Sequence, residues 1–565
     1  MVRKLTKTRV FIVFLVVGLV TFFNVFFNGF VGDDKEQIYN YGLVRGLIDL
    51  PQVFLYHHAV LNQEHALLGA YYKPLMLFYF YTIRSIFGVN PFFFHAPQVI
   101  LAIVNSFLVY LLFCKFFKKE VSFFLSLVFL VHPINQETVA YASNIQDVLF
   151  FFFGISALLL ISKATRFRYI ALSSALLLLA LFSKETGILF LIISLLYVFL
   201  FRRDILKKYF ASCLAVLFVY FTMRLSSKGT SVFWIEPSSM SEVSFVQRMQ
   251  NMPAVFFYYL KTFVYPDTLT FNQQWIIKKI SISTFYLPLL INSAFLFLIS
   301  LWNFYIHKHH PKKYVPLAFF TIWFFVGLLP HLQILPLDAT VADRWFYFSS
   351  VGALGIFATI LEKLLSKFKD KERIIYTVFL VLCVLFALRT FVRNVEWRSA
   401  FVLYTNDANR ASSALIENNL GDEYFKMGDT KKAMLHFNNA VSLNPNLWIA
   451  LNNLGVLQEQ KGNLEGAKRY YQKVLNKGDR LPTYENIARI LVLQKKSRAA
   501  EEFVNLSLKK YPLSAKLWLT LSLAQYDQGK YNEALISSKK SYDLFPDLKP
   551  QNVINAIQEK LTDEN

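Results

Sequence analysis

The chain has 565 residues, 55% of them hydrophobic, 59 Phe among them, and a formal net charge of +22. That length exceeds one core, and that apolar content excludes an ordinary soluble protein in favour of several transmembrane helices. Cys114, Cys213 and Cys383 all fall in or beside apolar runs, so neither a disulfide framework nor a zinc-ligand spacing is present.

The first apolar run, Val10 to Phe27, is long enough for a membrane helix and lacks a small-residue cleavage site after Phe27, so it reads as an uncleaved first span. Basic residues gather in short loops between later apolar runs: Arg3 to Arg9, Lys115 to Lys119, Lys163 to Arg168, Arg202 to Lys208, Lys308 to Lys313 and Lys363 to Arg373. Positive loops on one side orient a membrane protein, so this charge reports topology and not nucleic acid. Placing all the clusters inside predicts about eleven spans: 10–28, 92–113, 121–139, 145–162, 168–182, 186–201, 208–225, 283–305, 314–331, 345–362 and 373–391.

Two outer loops, 30–91 and 226–282, are too long for simple turns. The stretch from Lys73-Pro74 to Val89 reads as a helix lying on the outer surface. Pro253–Pro266 reads as a short Pro-bounded segment that does not cross. An odd number of spans leaves the N-terminus inside and the C-terminal part outside.

The pattern changes after residue 393. Residues 394–413 form a linker or first helix, and 414–548 hold four units of about 34 residues starting near 414, 448, 481 and 515. Leu420-Gly421, Ala433, Phe437 and Pro445 in the first unit answer to Leu454-Gly455, Ala467 and Tyr471 in the second. The third has Ile487-Ala488, Ala500 and Pro512, and the fourth Leu521, Gly529, Ala534 and Pro546. This is the tetratricopeptide pattern, in which small residues let paired helices pack closely, with 549–565 as capping helix and tail.

Asp33-Asp34 stands just after the first span, where partial desolvation raises a carboxyl toward values useful to a general base. The bland reading is a pair that marks the interface. Lys73, Lys184 and Arg344 remain at outer span ends, where a snorkelling role competes with an anion site. Together with Asp33 they suggest a cavity for a lipid-linked phosphate, its tail in the bilayer and its head among cations. His132-Pro133 with Glu137, Ser183-Lys184-Glu185 and Ala342-Asp343-Arg344 fall on the same side. Each has a structural alternative; their convergence on one face is the stronger signal.

These motifs, with Phe30-Val31-Gly32-Asp33-Asp34, Tyr72-Lys73-Pro74-Leu75 and Arg393-Asn394…Trp397, resemble the transmembrane-and-tetratricopeptide-repeat protein O-mannosyltransferases over nearly the whole chain. The resemblance implies an all-α fold: a polytopic GT-C-like membrane domain, 1–393, followed by a tetratricopeptide α-solenoid. It implies an inverting transferase that moves a sugar, mannose favoured, from a polyprenyl or dolichyl phosphate to a hydroxyl of an exported protein, with no obligatory metal. It makes Asp33 the catalytic residue and Asp34 its partner; Lys73, His132, Glu137, Lys184, Glu185 and Arg344, gathered on the same face, are then expected to hold the donor phosphate and sugar. Asn144-Ile145-Gln146-Asp147 departs from the usual Gly-Arg-Ala-Asp-like stretch, Lys73 replaces an Arg, and Asp343 replaces a common Glu, which leaves the donor sugar open.

Asn419, Asn453 and Asn486 recur at the sixth position of three units, a ladder that looks like the peptide-holding one of the O-GlcNAc transferase superhelix. The competing reading is a non-enzymatic membrane-anchored scaffold whose repeats recruit partners. The bacterial plasma membrane and the endoplasmic reticulum fit the same topology.

Overall fold

The computed structural model describes residues 6–39, 51, 53–55, 72–227, 243–277, 279–545, 548 and 550–563. The architecture is all-α; among the described residues the only β pairing is an isolated antiparallel bridge between Gln273 and Val341. Contacts divide the chain into two units, one of 1–34, 72–227 and 237–416, the other of 35–71, 228–236 and 417–565.

In the first unit every segment read as a span contains a helix. Among the described residues seven helices are long and apolar enough to cross a membrane, and an eighth if Lys119–Val131 and Pro133–Ala140, bent by 50°, count as one span. Lys7–Thr21, Phe167–Ser183 and Ile188–Phe201 are shorter. Local chemistry sets the ends: Thr6 caps the first helix by accepting from the Arg9 N–H at 3.3 Å, and Asn90 caps Pro91–Phe113, which opens on Pro. At Pro133 a missing N–H and a ring clash break the helix and produce the bend.

Two expectations are corrected. The segment at Pro253 is not bounded there: one helix runs Phe245–Val264 through the proline, because Ser244 and Gln247 form a capping box two turns earlier. Residues 394–413 belong to the membrane unit and not to the repeats. Helix Ala400–Ala408 is tied back by Asp407, which accepts from Arg393 at 2.7 and 3.1 Å and from the Phe271 N–H at 2.8 Å.

The second unit carries paired helices 414–426 and 430–443, 448–460 and 464–475, 481–493 and 497–510, 515–526 and 531–544, then Pro550–Asp563. Close approach requires the small residues: a Cβ on Gly455 would stand 2.4 Å from the Tyr471 ring. The turn inside each pair places one residue at positive φ: Gly428, Gly462 and Gly529 in units one, two and four, but Lys495 at φ 59° in the third. A side chain there costs about 1 kcal/mol. Lys495→Gly is therefore expected to raise stability by about that amount, read as a higher midpoint of thermal unfolding.

Candidate active site

The residues after the first helix are held from several sides. Asn394 donates to the Thr21 carbonyl at 3.0 Å, Asn28 donates to the Asn394 carbonyl at 3.1 Å, and the Gly29 N–H donates to the Arg398 carbonyl at 3.0 Å. The chain then turns at Gly32, whose φ is +53° and whose missing Cβ would lie 2.9 Å from the Tyr141 hydroxyl. Both facts require glycine.

This turn gives the two acids opposite surroundings. Asp34 is fully buried; its carboxylate accepts from the Val31 N–H at 3.1 Å and from the Ser143 N–H and hydroxyl at 2.7 and 2.6 Å. Burial pushes its carboxyl up to about 7, against the pull of those hydrogen bonds. Asp33 is exposed; its N–H donates to the Tyr141 hydroxyl at 2.9 Å, and the same hydroxyl hydrogen-bonds its carboxylate. Its carboxyl opens onto the site yet lies among dense protein, and this desolvation raises it above the ordinary carboxylate range. The charge of Asp338 adds to the rise, while Arg344, Tyr141 and Lys73 oppose it.

Arg344 is the main cation facing Asp33. Its guanidinium pairs with Glu137 and donates to Asn272 Oδ1 at 2.6 Å, and its own N–H donates to Glu137 Oε2 at 3.2 Å. Lys184 pairs with Asp147 at 2.7 Å. Lys73 precedes helix Pro74–Phe87 and feels the charges of Glu185, Lys184, Asp147 and Asp338; burial lowers its ammonium from the usual value. Glu185 accepts from the Tyr72 N–H at 3.3 Å and pairs with Arg224 at 3.5 Å. Asp33, Lys73, Glu137, Lys184, Glu185 and Arg344 thus share one interlinked charge cluster. Among the described residues no group of three or more His, Cys, Asp or Glu side chains is arranged to hold a metal ion.

Two expected site residues stand differently. Asp34 is paired internally, so its carboxylate shapes the loop and does not face the cluster. His132 is buried; Nδ1 accepts from the Ile134 N–H at 3.2 Å, which leaves Nε2 to donate to the Phe263 carbonyl at 2.9 Å. With both nitrogens engaged, its ring ties the Pro133 break to helix Phe245–Val264 and has no atom left for a donor. In the repeats, Asn453 donates to Asn418 at 3.1 Å and Asn486 to Asn452 at 3.1 Å, while Asn419 accepts from Asn418 at 3.2 Å. The Asn453 and Asn486 amides already join neighbouring repeats in register, while Asn419 bonds within its own.

Several residues of the cluster escape a sequence reading. Asp147 lies within the divergent motif and could have been found there. Tyr141 and Ser143 are unremarkable residues that matter because 108 and 109 residues of separation are folded away. Asn272 and Asp338 lie in long loops with no local pattern.

A cavity of about 550 Å³ in the same unit is apolar, with Phe257, Phe263, Leu298, Trp302, Phe324 and Ile356 in its wall. It is separate from the charges, but its Phe263 ring lies 5.3 Å from that of Phe346, two residues beyond Arg344.

Residues 72–226 match the family model of dolichyl-phosphate-mannose-protein mannosyltransferases, and 421–462 and 450–476 match tetratricopeptide models. A protein O-mannosyl-transferase of Caenorhabditis elegans is 24% identical over 464 residues, 77% of this chain. The chain resembles the tetratricopeptide-bearing protein O-mannosyltransferases. It spans about 63% of the length of that relative. Among solved structures, the apo oligosaccharyltransferase of Archaeoglobus fulgidus is 13% identical with a TM-score of 0.40, covering 70% of this chain and 56% of that one. MamA of Desulfovibrio magneticus is 17% identical with a TM-score of 0.25, covering 27% of this chain and 89% of that one. The apolar helices and the mannosyltransferase match mark a membrane protein.

Proposed function

We propose that the chain is a membrane glycosyltransferase that moves a sugar, mannose favoured, from a polyprenyl phosphate to a hydroxyl of an exported protein. The observation that carries this reading is one exposed carboxylate, Asp33, held by its backbone beside Arg344 and Lys73. The acceptor hydroxyl attacks the anomeric carbon from the face opposite the phosphate and gives its proton to Asp33. The new C–O bond forms as the bond from the anomeric carbon to the phosphate oxygen breaks, and one displacement inverts the centre. Arg344, Lys184 and Lys73 stabilise the phosphate charge that develops, an effect worth several kcal/mol in a water-poor site. Asp34 positions the loop that carries Asp33. The repeats stand outside the cytosol and hold the acceptor or a partner.

Membranes containing the full chain, given radiolabelled polyprenyl-phosphate mannose, are expected to transfer label to protein. No transfer from this or any other polyprenyl-phosphate sugar would leave the repeats as a scaffold.

The apolar cavity suits the polyprenyl tail, because its Phe263 wall adjoins Phe346 and so runs toward Arg344. Ala353 also lines it. Ala353→Trp is expected to raise KM several-fold for a long-chain donor and to leave a short-chain, water-soluble donor unaffected. Equal KM changes for both chain lengths would place the tail elsewhere.

A further inference from the structure

The loop between His331 and Asp343 is unusually well fastened. Gln274 donates to the Asp338 carbonyl at 2.7 Å, and Gln333 donates to the carbonyls of Ala339 and Thr340 at 2.8 and 2.9 Å. The Thr340 N–H donates to the Gln273 carbonyl at 2.8 Å, and its hydroxyl accepts from the Trp275 N–H at 2.9 Å and donates to the Trp275 carbonyl at 2.7 Å. The Gln273–Val341 bridge closes the set. From this fixed backbone the Asp338 side chain projects exposed, and no hydrogen bond or ion pair holds its carboxylate among the described residues.

Exposure alone describes any surface acid, but Asp338 is not on an outlying surface. Its charge acts on Asp33, on Lys73 and on Arg344, three groups brought from three separate parts of the chain. Geometry ties the loop to the same cluster: Asn272 accepts from Arg344 at 2.6 Å, and Gln274, two residues on, donates to the Asp338 carbonyl at 2.7 Å, so a second exposed carboxylate stands on a rigid loop bound to the segment that holds Arg344. At the start of the loop, His331 is 92% buried (8% exposed), stacks on Trp345 with ring centroids 5.1 Å apart, and leaves Nδ1 without a partner among the described residues. Asp147 Oδ2 is likewise buried and unpartnered among them. Buried polar atoms left open beside Lys184 and next to Arg344 are what a hydroxyl-rich ligand or its water would satisfy.

The parts of the proposed substrates differ in what an anionic acceptor can do for them. A phosphate is repelled by a carboxylate and goes to the cations. The acceptor brings one hydroxyl, which Asp33 takes. The sugar ring brings several neighbouring hydroxyls, and a carboxylate accepts two at once in charge-assisted hydrogen bonds. We infer that Asp338 is a sugar-binding residue that accepts hydrogen bonds from ring hydroxyls of the donor and so selects which sugar is transferred. This rests on the glycosyltransferase reading above.

The test measures transfer by the wild-type chain and by Asp338→Asn in membranes, with polyprenyl-phosphate mannose and its four monodeoxy analogues as donors. A hydrogen bond to a charged group predicts a roughly ten- to hundred-fold lower kcat/KM for Asp338→Asn with mannose. That loss is expected to shrink toward nothing with the one or two analogues that lack the hydroxyl Asp338 receives. The loop's backbone bonds do not involve the altered carboxyl, and an unchanged unfolding temperature checks that the variant folds. Wild-type kcat/KM in the variant, or the same loss with every analogue, would overturn the inference, the latter pointing to a role toward the acceptor. Absence of transfer by the wild type itself would instead strike the enzymatic reading and this inference with it.

Discussion

Asp33→Asn is expected to lower sugar transfer by about 10²-fold or more while leaving the unfolding temperature unchanged. The separation of the two readouts follows from the geometry. The loop is held at Asp33 through its N–H on Tyr141, a bond that Asn keeps, and the exposed side chain's hydrogen bond with the Tyr141 hydroxyl can still be accepted by the Asn amide oxygen. The pH dependence gives an independent check. A base must be ionised to accept a proton, and burial and Asp338 hold the Asp33 carboxyl above its ordinary value. Activity should therefore be present at higher pH and fall on acidification through that raised value, with a limb above the usual carboxylate range. Removing the charge of Arg344 by Arg344→Met takes away the largest opposing effect, so the limb should move further up. Transfer at the wild-type rate by Asp33→Asn would remove the residue from its role.

Asp407→Ala is expected to destabilise the membrane unit by about 3–5 kcal/mol. Arg393 is 1% exposed, and Asp407, itself fully buried, receives two of its N–H groups. Truncation leaves that guanidinium buried with only Glu396, which Arg410 also engages at 2.5 and 2.6 Å, and orphans the Phe271 N–H. Breaking one side of a buried pair costs more than the pair contributes, because the remaining charge cannot regain water. Thermal unfolding in detergent should show the loss. Asp407→Asn, which still accepts from Phe271, should be milder. A midpoint within a degree or two of the wild type would mean that Arg393 finds solvent. Since the same helix end supplies Asn394 and the Arg398 carbonyl to residues 21–29, activity should fall along with stability.

The helices were legible because membrane spans and paired repeats are written in local patterns: apolar runs bounded by basic loops, and small residues recurring every 34 or so. Pro253 misled because a proline beyond the first turn reads as a stop, while the capping box at Ser244 and Gln247 had already started the helix. The candidate site was legible in part. Charges stranded beside apolar runs are conspicuous, and Asp33, Lys73, Lys184 and Arg344 stand out for that reason. What the sequence could not show is which acid of the pair faces outward, since Tyr141 and Ser143 decide it from far along the chain. The same limit applies to His132, conspicuous beside Pro133 but consumed by a carbonyl of another helix. Asp338 gave no signal because a lone acid in a loop is ordinary until folding sets it near three other charges.

The division of labour at Gly32 has a practical consequence for anyone scanning this region by mutagenesis. Loss of either neighbouring acid would silence the protein, and a screen that scores only output would count them as equals. Small soluble carboxylates such as formate or acetate could tell them apart: supplied to Asp33→Gly, they can diffuse into the vacated opening and take over the missing proton acceptor. They cannot restore Asp34→Gly, where the missing group was a tether between distant stretches of chain.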